Sequence, residues 1–155
     1  MQKIFLYGIG LVFLIMATSV YADSHCEPAE GKDLRGCDFS GKDLKGADFR
    51  RADVSEVSFK DAKLKKAMFN DAKCHKSDFA DADLEDASFV RAECPQANFN
   101  KAYLRSVNFK DANLNKAKFR KADIRDANFK RTKLRDANYK EANRDEGANF
   151  EDIKE

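Results

Sequence analysis

Residues 41–70 read GKDLKGADFRRADVSEVSFKDAKLKKAMFN. A large apolar residue falls on Leu44, Phe49, Val54, Phe59, Leu64 and Phe69, one in every five positions. Two residues before most of them stands Ala, as at Ala47, Ala52, Ala62 and Ala67, and the residue between is often Asp, as at Asp48 and Asp53. Apolar positions therefore alternate between steps of two and three. A helix needs a stripe near 3.6 residues, and a step of five walks off any helical face by ~140° each time. A long strand needs strict alternation, which this pattern breaks in every unit. What fits is a short strand edge that turns its Ala and its large residue inward, then a turn, repeated until the chain closes into a coil.

Followed in both directions, the unit Ala-(Asp/Asn)-(Leu/Phe)-x-x holds for 22 consecutive copies from Lys32 to Glu141. A repeat this regular decides the fold before any local propensity does. Among the aliphatic large positions, Leu gives way to Val54, Cys74, Cys94 and Ile124, and the first three are 20 residues apart. Smaller side chains in one layer suit smaller ones in the next. The spacing therefore predicts four units per coil, with Val54, Cys74 and Cys94 stacked on one face.

The run GKDLKGADFRRADVS (41–55) and its sequels resemble the pentapeptide-repeat family from Lys32 to Glu141. The resemblance implies an all-β fold, a right-handed quadrilateral β-helix of about five and a half coils. At the ~4.8 Å spacing of adjacent strands it would be a rod on the order of 26 Å long. On that fold Leu34, Val54, Cys74, Cys94, Leu114 and Leu134 line the first face, and Phe39 to Phe119 and Tyr139 the second. Leu44, Leu64, Leu84, Leu104 and Ile124 line the third, and Phe49 to Phe129 the fourth.

The two ends read differently. Residues 1–22 have the pattern of a signal peptide: Lys3, an uncharged run from Ile4 to Val20, then Val20-Tyr21-Ala22, which places cleavage between Ala22 and Asp23. An uncleaved anchor is the rival reading, since Ile4 to Ala22 is nearly long enough to span a bilayer. Residues 23–31 are the expected amino-terminal cap of a solenoid at 32–142. Residues 143–155 are the expected cap or tail, as a short helix or a dimer contact, because there the register breaks. Arg144 falls in an inward slot, and Ala148-Asn149-Phe150 reappears one residue late. The destination is the bacterial periplasm or the cell exterior, with no stable membrane insertion after cleavage.

An exported chain with four cysteines permits disulfides. Cys26, in the cap, and Cys37, in the first coil, form the candidate pair. Cys74 and Cys94, one coil apart and both inward, are a possible second pair, or buried free thiols filling an aliphatic column. His75 follows an inward residue and points away from both thiols, so no metal site is expected and no cofactor is implied. Nothing suggests catalysis. The only two His, the absence of a nucleophile turn or phosphate loop, and carboxylates locked to the repeat all argue against an enzyme.

Function must then lie on outward residues. Without Lys3 the mature chain carries 28 Lys and Arg against 27 Asp and Glu, so no global electrostatic partner, nucleic acid included, is expected. Lys63, Lys65 and Lys66 face Asp83, Glu85 and Asp86 one coil on, which reads as mutual neutralisation. Lys118, Arg120 and Lys121, beside Lys101 and Lys140, form the candidate strip for an anionic partner. Met68, Val90 and Tyr103 are outward apolar residues too scattered for a patch. The leading expectation is a non-catalytic scaffold presenting flat faces to a protein or cell-envelope polymer, as a monomer or a dimer formed through its carboxy terminus. Two alternatives remain. The resemblance implies a DNA-mimicking, topoisomerase-binding protein, from which the balanced charge and export signal depart; the cysteines suggest a thiol redox or metal sensor.

Overall fold

The computed structural model describes residues 24–145 and 147–150; the expected signal peptide lies outside the described residues. One unit shows why five residues suffice. Every backbone N–H between Ala52 and Glu56 is satisfied, as burial beside an apolar core demands. Asp53 donates to the Lys32 carbonyl at 2.9 Å, and Val54 to the Lys73 carbonyl at 2.8 Å. These bonds tie the unit to the coils before and after it. Glu56 donates to the His75 carbonyl at 2.8 Å, and Ala52 closes the preceding turn on the Phe49 carbonyl at 3.1 Å. The fifth N–H, of Ser55, finds the Asp53 side chain at 3.0 Å. That last bond is why Asp or Asn occupies the middle position: its carboxylate or amide oxygen caps the turn it opens.

The turn requires its third residue at positive φ, the conformation a type II turn imposes. Gly occupies that place at Gly31, Gly36, Gly41 and Gly46, with φ between 66° and 84°. From Arg51 onward the same place is held by side-chain-bearing residues, as at Arg51 (57°), Glu56 (62°) and Glu141 (61°). Such residues carry strain there, tolerated because the turn is fixed on both sides by bonds between coils.

Parallel bridges link residues 20 apart, from Asp33↔Asp53 through Asp123↔Asn143, and four of them recur in each 20 residues. The coil is therefore four-sided, as the spacing of Val54, Cys74 and Cys94 predicts. The large residues and the Ala between them fill its interior. Val54, Phe59, Leu64, Phe69 and their successors up to Leu114 are fully buried. Like rings stack between coils, with centroids 4.9 Å apart for Phe59 and Phe79 and 4.6 Å for Phe49 and Phe69. The two Phe columns meet edge to face, at 5.4 Å between Phe49 and Phe59. Each such pair is worth about 0.5–1.5 kcal/mol beyond its burial. Two positions substitute a hydroxyl for Ala, and both hydroxyls are buried. Ser77 donates to the Val54 carbonyl and Thr132 to the Phe109 carbonyl, each at 2.7 Å.

At the carboxy-terminal end the one-residue delay takes physical form. Asn128 bridges Asn149, a step of 21, and Phe150 stacks on Phe129 at 4.9 Å. Arg144 departs from its expected inward slot. It is exposed, with its guanidinium carbon 5.8 Å from the centre of the Tyr139 ring. The regular bridges stop at Asn143, so no further regular coil encloses that slot, and a charged group stays in water. Tyr139, at an inward position, is 44% exposed for the same reason.

Candidate interaction surface

With the interior filled, chemistry is left to the middle residues of the four faces and the paired residues at the four corners. The corner after the fourth face carries a built charge ladder. Arg51 pairs with Glu30 at 3.1 Å, Arg91 with Asp71 at 2.7 Å, and Arg131 with Asp111 at 2.7 Å. The hydrogen bond from Arg91 holds the Asp71 carboxyl below its ordinary range. On the third face Lys65 reaches Glu85 at 2.6 Å and Asp83 at 3.6 Å, which raises the lysine and lowers Glu85. The expected neutralisation is thus centred on Lys65. Lys63 turns instead to Asp43 in the preceding coil, at 4.0 Å. Such exposed pairs steer and solubilise more than they stabilise.

Three residues of the candidate basic strip meet at one corner. Lys101, Arg120 and Lys121 line, with Asn100, a depression of about 180 Å³. Glu141 meets Arg120 at 3.3 Å and Lys121 at 3.6 Å, and Lys101 meets Asp81 at 4.0 Å. Lys118 stands on the adjoining face, bridged to Asn98 and Asn138 by backbone, and both it and Lys140 are exposed. A single carboxylate therefore serves two cations of the strip.

The four cysteines lie in two pairs at disulfide distance. The Cα atoms of Cys26 and Cys37 are 5.7 Å apart and those of Cys74 and Cys94 are 4.4 Å apart, both disulfide distances. Cys74 and Cys94 are wholly buried, whereas the next residue, His75, is exposed. His75 and Ser55 are shared by two shallow depressions of about 390 and 480 Å³, lined further by Lys73, Glu93, Pro95, Arg35 and Glu56. Among the described residues no cluster of three or more His, Cys, Asp or Glu is placed to hold a metal ion. None of their helices is long and apolar enough to cross a membrane.

One device escapes a residue-by-residue reading. Ser88, Lys118 and Lys133 hold middle positions but do not cap their turns. There the N–H of Val90, Arg120 and Arg135 finds an Asn side chain from the preceding coil: Asn70 at 3.1 Å, Asn100 at 2.8 Å and Asn115 at 3.0 Å. The signal is present in the sequence as an Asn 20 residues before the uncapped N–H, visible once the coil length is known.

The description "Pentapeptide repeat region" matches residues 82–154, and "Pentapeptide repeats (8 copies)" matches residues 33–65. No curated protein matches the chain. Among solved structures, a pentapeptide repeat protein of the Arabidopsis thaliana thylakoid lumen is 35% identical, over 63% of this chain and 72% of that one, with a TM-score of 0.52. A pentapeptide repeat protein of the cyanobacterium Cyanothece 51142 is 18% identical over 86% and 97% of the two chains, with a TM-score of 0.47. The full-length plasmid-mediated fluoroquinolone resistance protein QnrB1 is 21% identical over 83% and 88%, with a TM-score of 0.42. The five-residue unit, its 20-residue coil, the two family matches and the likeness to the thylakoid-lumen protein agree: the chain belongs to the pentapeptide repeat family.

Proposed function

We propose that this chain is an exported, non-catalytic scaffold whose outward residues dock a protein or a polymer of the cell envelope. Its form would be about five and a half right-handed coils, cut from its leader between Ala22 and Asp23. The observation that carries the reading is the filled interior. Buried Phe, Leu and Ala occupy the axis from Leu34 to Leu134, leaving no enclosed cleft along it for a reaction, while the outward positions vary from coil to coil. Export is supported by two cysteine pairs at disulfide distance and by likeness to a thylakoid-lumen protein. We take both pairs to be bonded in an oxidising compartment. A sensor built on Cys74 and Cys94 is disfavoured by their complete burial, which hides them from oxidants and reductants alike.

Affinity capture of the tagged protein from crosslinked cell envelopes tests the docking role. A discrete partner, lost when Lys118, Arg120 and Lys121 are changed to Glu, is the expected result. Capture that is indifferent to those changes would remove the strip from the role, and no enriched partner would remove the docking role itself.

A further inference from the structure

The balanced net charge conceals a sharp division along the rod. Residues 101–140 carry 13 Lys and Arg against 4 Asp, a net +9, whereas residues 23–100 carry 13 against 17, a net −4. The 40 residues are two turns of the 20-residue coil, so the excess is confined to a narrow band. Within it the cations stand at every corner. Lys116 and Arg135 follow the first face, Arg120, Lys121 and Lys140 the second, Arg105 and Arg125 the third, and Lys110 and Lys130 the fourth. Some are matched by neighbours, as Arg105 is by Asp126 at 3.5 Å and Arg125 by Asp123. Asp81 and Glu141 of the flanking coils also meet Lys101, Arg120 and Lys121, but six carboxylates cannot offset 13 cations. With both third-corner cations matched, the excess is a positive collar over the other three corners, the second and fourth standing opposite each other.

We infer that this collar binds a flexible, linear anionic glycan, a polysaccharide bearing uronate or phosphate groups, which wraps the rod. The inference rests on the docking reading above and names the class of partner. Shape selects it. A bilayer or the face of a globular protein meets one side of a four-sided rod, and would leave cations on the opposite corner without a purpose. A flexible polymer can pass from one basic corner to the opposite one, releasing its counterions as it does so. Single-stranded nucleic acid is a poorer match, because its binding relies on aromatic platforms between the cations. Within the collar the large exposed hydrophobics are Tyr103 and Tyr139 alone among the described residues.

Polygalacturonate is the probe, titrated against the full chain by fluorescence anisotropy at 50 and 200 mM NaCl. Two variants reverse opposite corners: R120E/K121E/K140E after the second face, and K110E/K130E after the fourth. Binding that weakens about tenfold or more with the added salt, and again with each variant, is the expected result. Loss with the first variant alone would overturn wrapping and leave a flat docking face, so the docking reading would survive. Equal or tighter binding to anionic phospholipid vesicles or to an oligothymidine would overturn the assignment to a glycan. The absence of any polygalacturonate binding would overturn it outright, while envelope capture could still succeed. Circular dichroism of both variants separates lost binding from lost fold.

Discussion

The two ends of the rod solve one problem in opposite ways. At the amino-terminal end a short 3-10 turn, Ser24–Cys26, brings Cys26 to disulfide distance from Cys37 in the first coil. Leu34 is fully buried there and Phe39 is 4% exposed. At the carboxy-terminal end there is no cysteine. Tyr139, in the same column as Phe39, is 44% exposed, and the delayed Phe150 lies on Phe129. A repeat specifies how one coil holds the next but says nothing about the first and last, each of which lacks a neighbour on one side. Open edges must be covered by something outside the repeat. One end is covered by a cysteine pair at disulfide distance and the other by a slip of register.

The largest expected contrast comes from one column. Phe39→Ala removes a buried ring stacked on Phe59 at 5.2 Å, and a cost of about 3–5 kcal/mol is expected. Tyr139→Ala, at the equivalent place in the last coil, should cost about 1 kcal/mol or less, because much of its ring already meets water. Urea unfolding followed by circular dichroism measures both. Equal costs would break the comparison, by showing that the carboxy-terminal end is as well covered as the amino-terminal one.

Next come the cysteines. By loop-closure entropy a bond closing the 11-residue separation of Cys26 and Cys37 is worth about 2–3 kcal/mol, and one closing the 20 residues between Cys74 and Cys94 about 3 kcal/mol. The locations differ more than the magnitudes. Cys26→Ser should loosen the first coil alone, seen as faster amide exchange at Leu34 and Phe39 with Phe89 unchanged. Cys74→Ser should lower the stability of the whole rod. Global loosening by Cys26→Ser would mean that the amino-terminal tie nucleates the fold as well as capping it.

Much of this was legible in the sequence, and the failures share a cause. The five-residue period and the step from Val54 to Cys74 to Cys94 yield the coil and its columns, and put Cys74 one coil below Cys94, because every layer obeys the same local rule. The inward slot expected of Arg144 fails because that rule assumes a following coil, and a guanidinium at an open end goes to water. The pairing of Lys63 with Asp43 rather than Asp83 was equally open. Each outward residue has a neighbour in the coil before and another after, and side-chain geometry decides between them. The collar at residues 101–140 was missed for a different reason. Its charges are spread over four corners, so they neighbour one another only around the circumference, and the net charge of the chain averages them away.

The smallest effect separates the ends most finely. The same Asp-x-Arg clasp occurs near both, as Asp33–Arg35 and Asp123–Arg125, with Arg Nε to carboxylate distances of 2.9 and 2.7 Å. In each the arginine's hydrogen bond holds the carboxyl below its ordinary range. A carboxyl so lowered contributes stability at neutral pH, and that contribution is lost as pH falls from the unfolded value, near 4, through the lowered folded one. Asn in place of Asp keeps an oxygen to cap the turn, as Asn113 does for the N–H of Asn115 at 3.3 Å, and deletes only the charge. Asp123→Asn should therefore lower Tm at pH 7 by about 1 °C or less, with the gap closing as the pH is taken down from the unfolded value, near 4. Asp33→Asn should do less, since 54% of the Asp33 side chain is exposed against 21% for Asp123, and water screens the more open pair. Differential scanning fluorimetry from pH 2 to 7 measures both. A larger shift for Asp33→Asn would mean that the first coil depends on its surface charges as well as on its cysteine tie, and the two ends would then differ in degree rather than in kind.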